Sequence, residues 1–306
     1  MSRYALVPPG RELTVRSADG TAIHVEEYGA GAGTAAPVVV LIHGWTCSTH
    51  LWAPVVRELG DGLRVIAYDQ RGHGRSAVPA RGGYSTAALA DDLAAVLDAV
   101  LAEGERAVLA GHSLGGMTVL AASDRPEIQA RTAAVLLAST GSARLVAGAM
   151  VLPARVRSRR VRDAFARLML LSSLPLGPVT PLSRAALKYA VMAPGATPEQ
   201  AAATARIVHA CGRRPRAAWG RVLAGLDLDP GVTALRAPTA VLVGTADKLT
   251  PPVHAQDIVA RLPHCVGLTE LPGLGHMTPL EDPDAVAGLI RRLAQDHLRV
   301  PAGGTA

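Results

Sequence analysis

Gly111-His112-Ser113-Leu114-Gly115 stands between a short apolar run, Arg106-Ala107-Val108-Leu109-Ala110, and a helix-like segment, Gly116-Met117-Thr118-Val119-Leu120-Ala121-Ala122. A Gly-x-Ser-x-Gly pattern at a strand-to-helix junction predicts a sharp turn that holds the serine hydroxyl exposed. Gly111 and Gly115 keep Cβ atoms out of that tight crossing. The helix that follows aims its N-terminal N–H groups and the positive end of its dipole at the serine. The junction thus offers a nucleophile in surroundings prepared for negative charge.

On either side of this junction, strand-like and helix-like segments alternate. Residues 11–28 read as two strands joined at Asp19-Gly20, and the alternation in Ala22-Ile23-His24-Val25-Glu26 predicts a half-exposed antiparallel pair. A Gly/Ala loop follows at 29–36. Further strands are expected at 37–42, 63–68, 106–110, 133–138, 239–243 and 266–271, with helices at about 50–59, 86–103, 253–262 and 284–297. The pattern predicts an α/β fold: a mostly parallel eight-stranded sheet with helices on both faces. Between 142 and 235 the alternation stops. This stretch has helical periodicity, internal prolines and no buried strand, and it is too long for a loop. It reads as an inserted helical cap (142–235) between two core segments, 1–141 and 236–306.

The chain has 306 residues, 49% of them hydrophobic, enough for one large core. Its longest apolar runs, such as Val38-Val39-Val40-Leu41-Ile42, fall far short of the ~20 residues a membrane helix needs. The N-terminus carries no apolar signal-peptide core. No stable membrane insertion is expected. Cys47, Cys211 and Cys265 are widely separated and fit neither a metal spacing nor a disulfide framework. A reducing, cytoplasmic setting is the expectation, with Cys47 as a small buried residue.

Charge is segregated. Residues 142–230 hold fourteen Arg/Lys and four Asp/Glu, a net +10, whereas the whole chain is +6. The densest part is Arg155, Arg157, Arg159, Arg160 and Arg162. It reads first as a solvated helical face. The sharper readings are an electrostatic funnel for an anionic substrate, or a patch resting on anionic lipid. Nucleic acid is not expected, because no binding motif or aromatic stacking platform accompanies the charge.

A serine nucleophile needs a base, an acid that orients the base, and donors for the developing oxyanion. His276 lies in Leu271-Pro272-Gly273-Leu274-Gly275-His276-Met277, just past the last strand, where glycines would let an imidazole swing to the serine. Asp247 lies in Val243-Gly244-Thr245-Ala246-Asp247, just past the preceding strand. In a parallel sheet these positions share the carboxyl edge, where ligands bind. His112 reads as local packing, and Asp69 and Arg71 read as ties within the loop after a strand. The backbone N–H groups of Trp45, in His43-Gly44-Trp45, and of Leu114 are the expected oxyanion donors. His43 reads as a buttress of that loop. The Trp45 ring is either a pocket wall or plain packing.

Together, His43-Gly44-Trp45 with Trp52, Tyr68-Asp69-Gln70-Arg71-Gly72-His73-Gly74-Arg75-Ser76, the Ser113 elbow, Thr245-Ala246-Asp247 and Gly275-His276 resemble an α/β-hydrolase fold protein over about residues 12–298. The resemblance is strongest to small bacterial carboxylesterases. It implies a Ser113–Asp247–His276 triad, an oxyanion hole at Trp45 and Leu114, and the cap as a substrate lid. It implies a small-molecule ester, lactone or thioester substrate and neither cofactor nor metal. Serine at the elbow separates the chain from the dehalogenases and epoxide hydrolases of the superfamily, which use aspartate. Carbon–carbon bond hydrolases and cofactor-free perhydrolases or haloperoxidases use the same triad. A barely catalytic small-molecule binding protein, like the hormone receptors on this fold, is the alternative outside enzymes. Oligomeric state is left open.

Overall fold

Five consecutive buried apolar residues form the central strand β3 (Val38–Ile42) of a sheet covered on both faces. The computed structural model describes residues 2–31, 36–152, 155–156 and 158–298. Part of the Gly/Ala loop (32–35), Arg157 and the C-terminal tail from 299 lie outside the described residues. The other strands are β1 (Arg11–Arg16), β2 (Ala22–Gly29), β4 (Arg64–Tyr68), β5 (Ala107–His112), β6 (Thr132–Ala138), β7 (Thr239–Gly244) and β8 (Cys265–Leu271). They form one eight-stranded sheet in the order β1-β2-β4-β3-β5-β6-β7-β8. β1 and β2 pair antiparallel, β2 pairs antiparallel with β4, and all later pairings are parallel.

Alternation along β3 divides the core in two. Val38, Val40 and Ile42 pack with α2 (Thr86–Val100) and α3 (Leu114–Ala122), through Leu89, Leu93, Leu114 and Met117. Val39 and Leu41 pack against α1 (Ala53–Leu59) and α13 (Pro283–His297), through Val55, Val286 and Ile290. The short helix α4 (Pro126–Arg131) precedes β6. Between β6 and β7 run α5 (Leu145–Gly148), α6 (Arg159–Leu171), α7 (Pro181–Val191), α8 (Pro198–Ala210), α9 (Arg213–Ala224) and α10 (Asp229–Ala234). α11 (Pro252–Val259) follows β7, and α12 (Thr278–Glu281) precedes α13. Among the described residues, no helix is long and apolar enough to cross a membrane.

One strand differs from the sequence expectation. β2 is buried from Ile23 to Glu27 rather than half-exposed, because it lies between β1 and β4. Its polar side chains are paired inside: His24 with Glu26 at 3.1 Å, and Glu27 with Arg64 at 2.7 Å. β8 forms the sheet's edge and is more exposed than the inner strands. Of the arginine cluster, Arg155, Arg159 and Arg160 are exposed and Arg162 is half-buried.

A buried ion pair anchors the loop after β4. The fully buried Arg71 guanidinium meets Asp92 of α2 through two hydrogen bonds, 2.7 and 2.6 Å, and reaches Asp19 at 2.8 Å. The Arg71 carbonyl accepts the indole N–H of Trp219 at 3.0 Å, which docks α9 on this loop. Removing one partner strands a charge in the interior. Asp92→Ala should therefore lower unfolding free energy by about 3–5 kcal/mol, read from denaturant midpoints. A change below about 1 kcal/mol would show that Asp19 and solvent satisfy the guanidinium.

Candidate active site

Ser113 sits at the turn from β5 to α3 with φ 52 and ψ −116, a conformation few L-residues adopt. The surrounding packing over-determines it. A Cβ on Gly115 would lie 2.0 Å from the carbonyl oxygen of Ile42, and one on Gly111 would lie 2.5 Å from the backbone of Gly115. The serine N–H donates to the carbonyl of Ala138 at 2.9 Å. The serine carbonyl accepts the Thr140 hydroxyl at 2.7 Å.

His276 and Asp247 converge on this turn from the ends of β8 and β7. His276 Nε2 lies 3.0 Å from Ser113 Oγ, and its Nδ1 lies 2.8 Å from Asp247 Oδ2. The chain of contacts fits an imidazole protonated at Nδ1, with Nε2 accepting from the serine hydroxyl. Asp247 is buried. Its Oδ1 accepts the N–H groups of Leu249 and Thr250 at 2.8 and 3.0 Å. The Thr250 hydroxyl lies 2.9 Å from Asp247 Oδ2 and 3.2 Å from His276 Nδ1. The structure thus brings together Ser113, Asp247 and His276 from positions far apart in the chain.

The His276 loop is held rather than free to swing. Its backbone N–H donates to the carbonyl of Val191 at 3.1 Å, and its carbonyl accepts from His112 Nε2 at 2.8 Å. Glu281, five residues on, accepts three backbone N–H groups: Gly275 at 3.0 Å, Met277 at 3.0 Å and Ala193 at 2.7 Å. Gly275 is needed for this approach, since a Cβ there would meet Met192 and Ala193 backbone at 2.5 Å. Neither Glu281 nor Thr250 stood out in the sequence. The only signal for Glu281 is its place in the short segment joining the histidine loop to the last helix.

Trp45 follows β3, beside Thr46, whose φ is 64. Thr46 N–H donates to His73 Nε2 at 3.2 Å, and the Trp45 indole N–H donates to the carbonyl of Arg216 at 3.0 Å. Among the described residues no hydrogen bond is recorded for the backbone N–H of Trp45 or of Leu114. His43 accepts the Gln70 N–H at 2.9 Å and lies 2.8 Å from the Gly44 carbonyl through Nδ1. Asp69 does not reach the serine. Its carboxylate accepts the N–H groups of Thr49 and Arg75, both at 2.8 Å.

Two apolar cavities meet at Ser113. One, about 80 Å³, is walled by Met117, Leu145, Leu170 and Leu223. The other, about 280 Å³, is walled by Leu176, Leu187, Val191, Val208 and Arg216. Trp45, Met169, Leu249 and His276 border both. Burial pushes the Cys47 thiol, in the wall of the second, up to about 12, so it stays neutral. The His/acid cluster Glu12, His24 and Glu26 has metal-like spacing but lies on β1 and β2. There Arg75 and Tyr28 already hydrogen-bond its carboxylates.

Residues 39–289 match the alpha/beta hydrolase family, and the chain belongs to it. It is 33% identical over 289 residues to a Variovorax paradoxus protein that bears the name carbamate hydrolase RutD. That match covers 92% of this chain and 98% of the other. It is 40% identical to the bifunctional esterase/perhydrolase DCH of Acinetobacter calcoaceticus over 103 residues, 33% of this chain and 35% of that one. The solved esterase RhEst1 of Rhodococcus sp. ECU1013 is 26% identical, with a TM-score of 0.67 over 94% of this chain and 99% of that one.

Three histidines packed around the site are neutral in the fold. Burial pushes His43 down to about 4, and His73 and His112 down to about 3. In the unfolded chain they take up protons near the ordinary histidine value of about 6.5. Below that pH the unfolded state binds more protons, so stability falls as pH falls. Denaturant titrations from pH 6.5 to 5 should lose up to about 4 kcal/mol per pH unit, about 1.4 for each histidine. His73→Gln should flatten that slope by about a third. A flat profile would show that the histidines charge inside the fold.

Proposed function

We propose that the chain is a serine hydrolase that cleaves a carboxylic ester, or a lactone or thioester, through an acyl-enzyme on Ser113. The observation that carries this reading is the hydrogen-bonded series Ser113 Oγ, His276, Asp247 at the meeting point of two apolar cavities. His276 Nε2 takes the serine proton as Oγ attacks the substrate carbonyl. Asp247 holds the imidazole in the productive tautomer and stabilises its cation. The N–H groups of Trp45 and Leu114 receive the oxyanion; such donors contribute about 3–4 kcal/mol each. His276 then gives its proton to the leaving alcohol. Water, deprotonated by His276, attacks the acyl-enzyme; the acid leaves and the serine regains its proton. A carbamate, the bond in the name of the Variovorax relative, offers the same carbonyl to this machinery.

The same proposal assigns residues 1–141 and 236–306 to the core and 142–235 to a lid. Support comes from the cavity walls: Leu145, Met169, Leu170, Leu176, Leu187, Val208 and Leu223 all belong to the inserted helices or the segments between them. A second reading has hydrogen peroxide replace water in deacylation. It is favoured by the partial match to an esterase/perhydrolase.

Ser113→Ala should abolish both p-nitrophenyl butyrate hydrolysis and labelling by a fluorophosphonate probe. His276→Ala should be nearly as damaging, and Asp247→Asn should lower kcat by about 10³–10⁴ through the wrong tautomer. Labelling at another serine, or full activity in Ser113→Ala, would overturn the assignment. Tight ligand binding without turnover in the native protein would instead indicate a binding protein. Peracid formation on adding peroxide would establish the second reading.

A further inference from the structure

Three arginines are buried among the described residues: Arg64, Arg71 and Arg216. Arg64 has Glu27, and Arg71 has Asp92 and Asp19. Arg216, only 5% exposed, has no carboxylate at ion-pair distance among the described residues. Its Nη2 reaches the carbonyls of Ser172, at 3.4 Å, and Leu174. Those are neutral acceptors. Its remaining three N–H groups, on Nε and Nη1, donate to no described protein atom.

Arg216 and the serine share a cavity. Arg216 lines the larger cavity together with Ser113 and His276. Its carbonyl holds the Trp45 indole, in the loop beside the elbow. The rest of the cavity wall is mostly apolar, with Leu176, Leu187, Val191 and Val208. A buried cation without a counter-charge is costly, and its attraction for an anion is strong where water is scarce. A guanidinium presents paired donors that match a carboxylate edge on. The exposed Arg155, Arg159 and Arg160 do not line this cavity.

We propose that Arg216 receives a carboxylate carried by the substrate, which makes the substrate class half-esters of aliphatic dicarboxylic acids. The ester carbonyl lies at Ser113, the methylene chain along the leucine and valine wall, and the free carboxylate at Arg216. A single guanidinium balances one negative charge, which suits a carboxylate better than a phosphate dianion. The proposal rests on the Ser113 reading for its chemistry.

The test compares p-nitrophenyl half-esters of adipic, suberic and sebacic acids with p-nitrophenyl esters of monocarboxylic acids of equal length. In the native protein, at least one half-ester should exceed its neutral match by tenfold or more in kcat/KM, chiefly through KM. Arg216→Gln should reduce that ratio at least tenfold, and Arg216→Lys should retain part of it. Preference for the neutral ester at every length, or an unchanged ratio in Arg216→Gln, would overturn the proposal. The length series in the native protein needs no variant and stands if Arg216→Gln fails to fold. Calorimetry on Ser113→Ala separates this proposal from the catalytic one. Monomethyl suberate should bind there and dimethyl suberate should bind at least tenfold more weakly; equal binding would remove the carboxylate site even if Ser113 proves to be the nucleophile.

Discussion

The closeness of α3 to β3 sets the geometry of the whole site. With Gly115 against the Ile42 carbonyl, the helix begins where the strands end, and the chain can make the turn only through the strained backbone of Ser113. That strain is maintained by hydrogen bonds from both sides, to Ala138 and from Thr140. The same crossing leaves the first N–H of α3 beside the serine. β3 ends at the crossing too, and its following loop brings Gly44 and Trp45 up to Ser113. One steric requirement at residue 115 thereby locates Ser113 and the backbone N–H of Leu114.

Around this turn, burial and hydrogen bonding set the charge states. The three packed histidines stay neutral because their rings are shut away from water. His112 and His276 are close enough for their rings to tilt together at 5.0 Å, yet they face different tasks. His112 spends Nε2 on a carbonyl, whereas His276 has both ring nitrogens in the series from Asp247 to Ser113. Asp247 is buried as well, and the backbone N–H groups of Leu249 and Thr250 supply the donors that water would otherwise give.

The strands and the elbow were legible because each leaves a local trace, an apolar run or a pair of glycines flanking a serine. That Ser113, Asp247 and His276 meet in space followed from their places after strands. What failed were features decided by distant partners. The polar residues of β2 suggested exposure, but Glu27 is neutralised by Arg64 from another strand. Arg216 looked like one more charge in Arg213-Arg214-Pro215-Arg216, whose first two arginines are exposed and whose last is not. Glu281 did not stand out at all. Only folding brings the backbones of residues 193, 275 and 277 to its carboxylate.

The stretch from Val191 to Ala193 has a mechanical meaning. It joins the inserted helices α7 and α8, yet it is tied to the histidine loop through the Val191 carbonyl and the Ala193 N–H. Any displacement that lifted this stretch from the sheet would cut the support of the His276 loop at the same moment. The packing of α7 and α8 and the position of the His276 ring are thus set by one and the same piece of backbone.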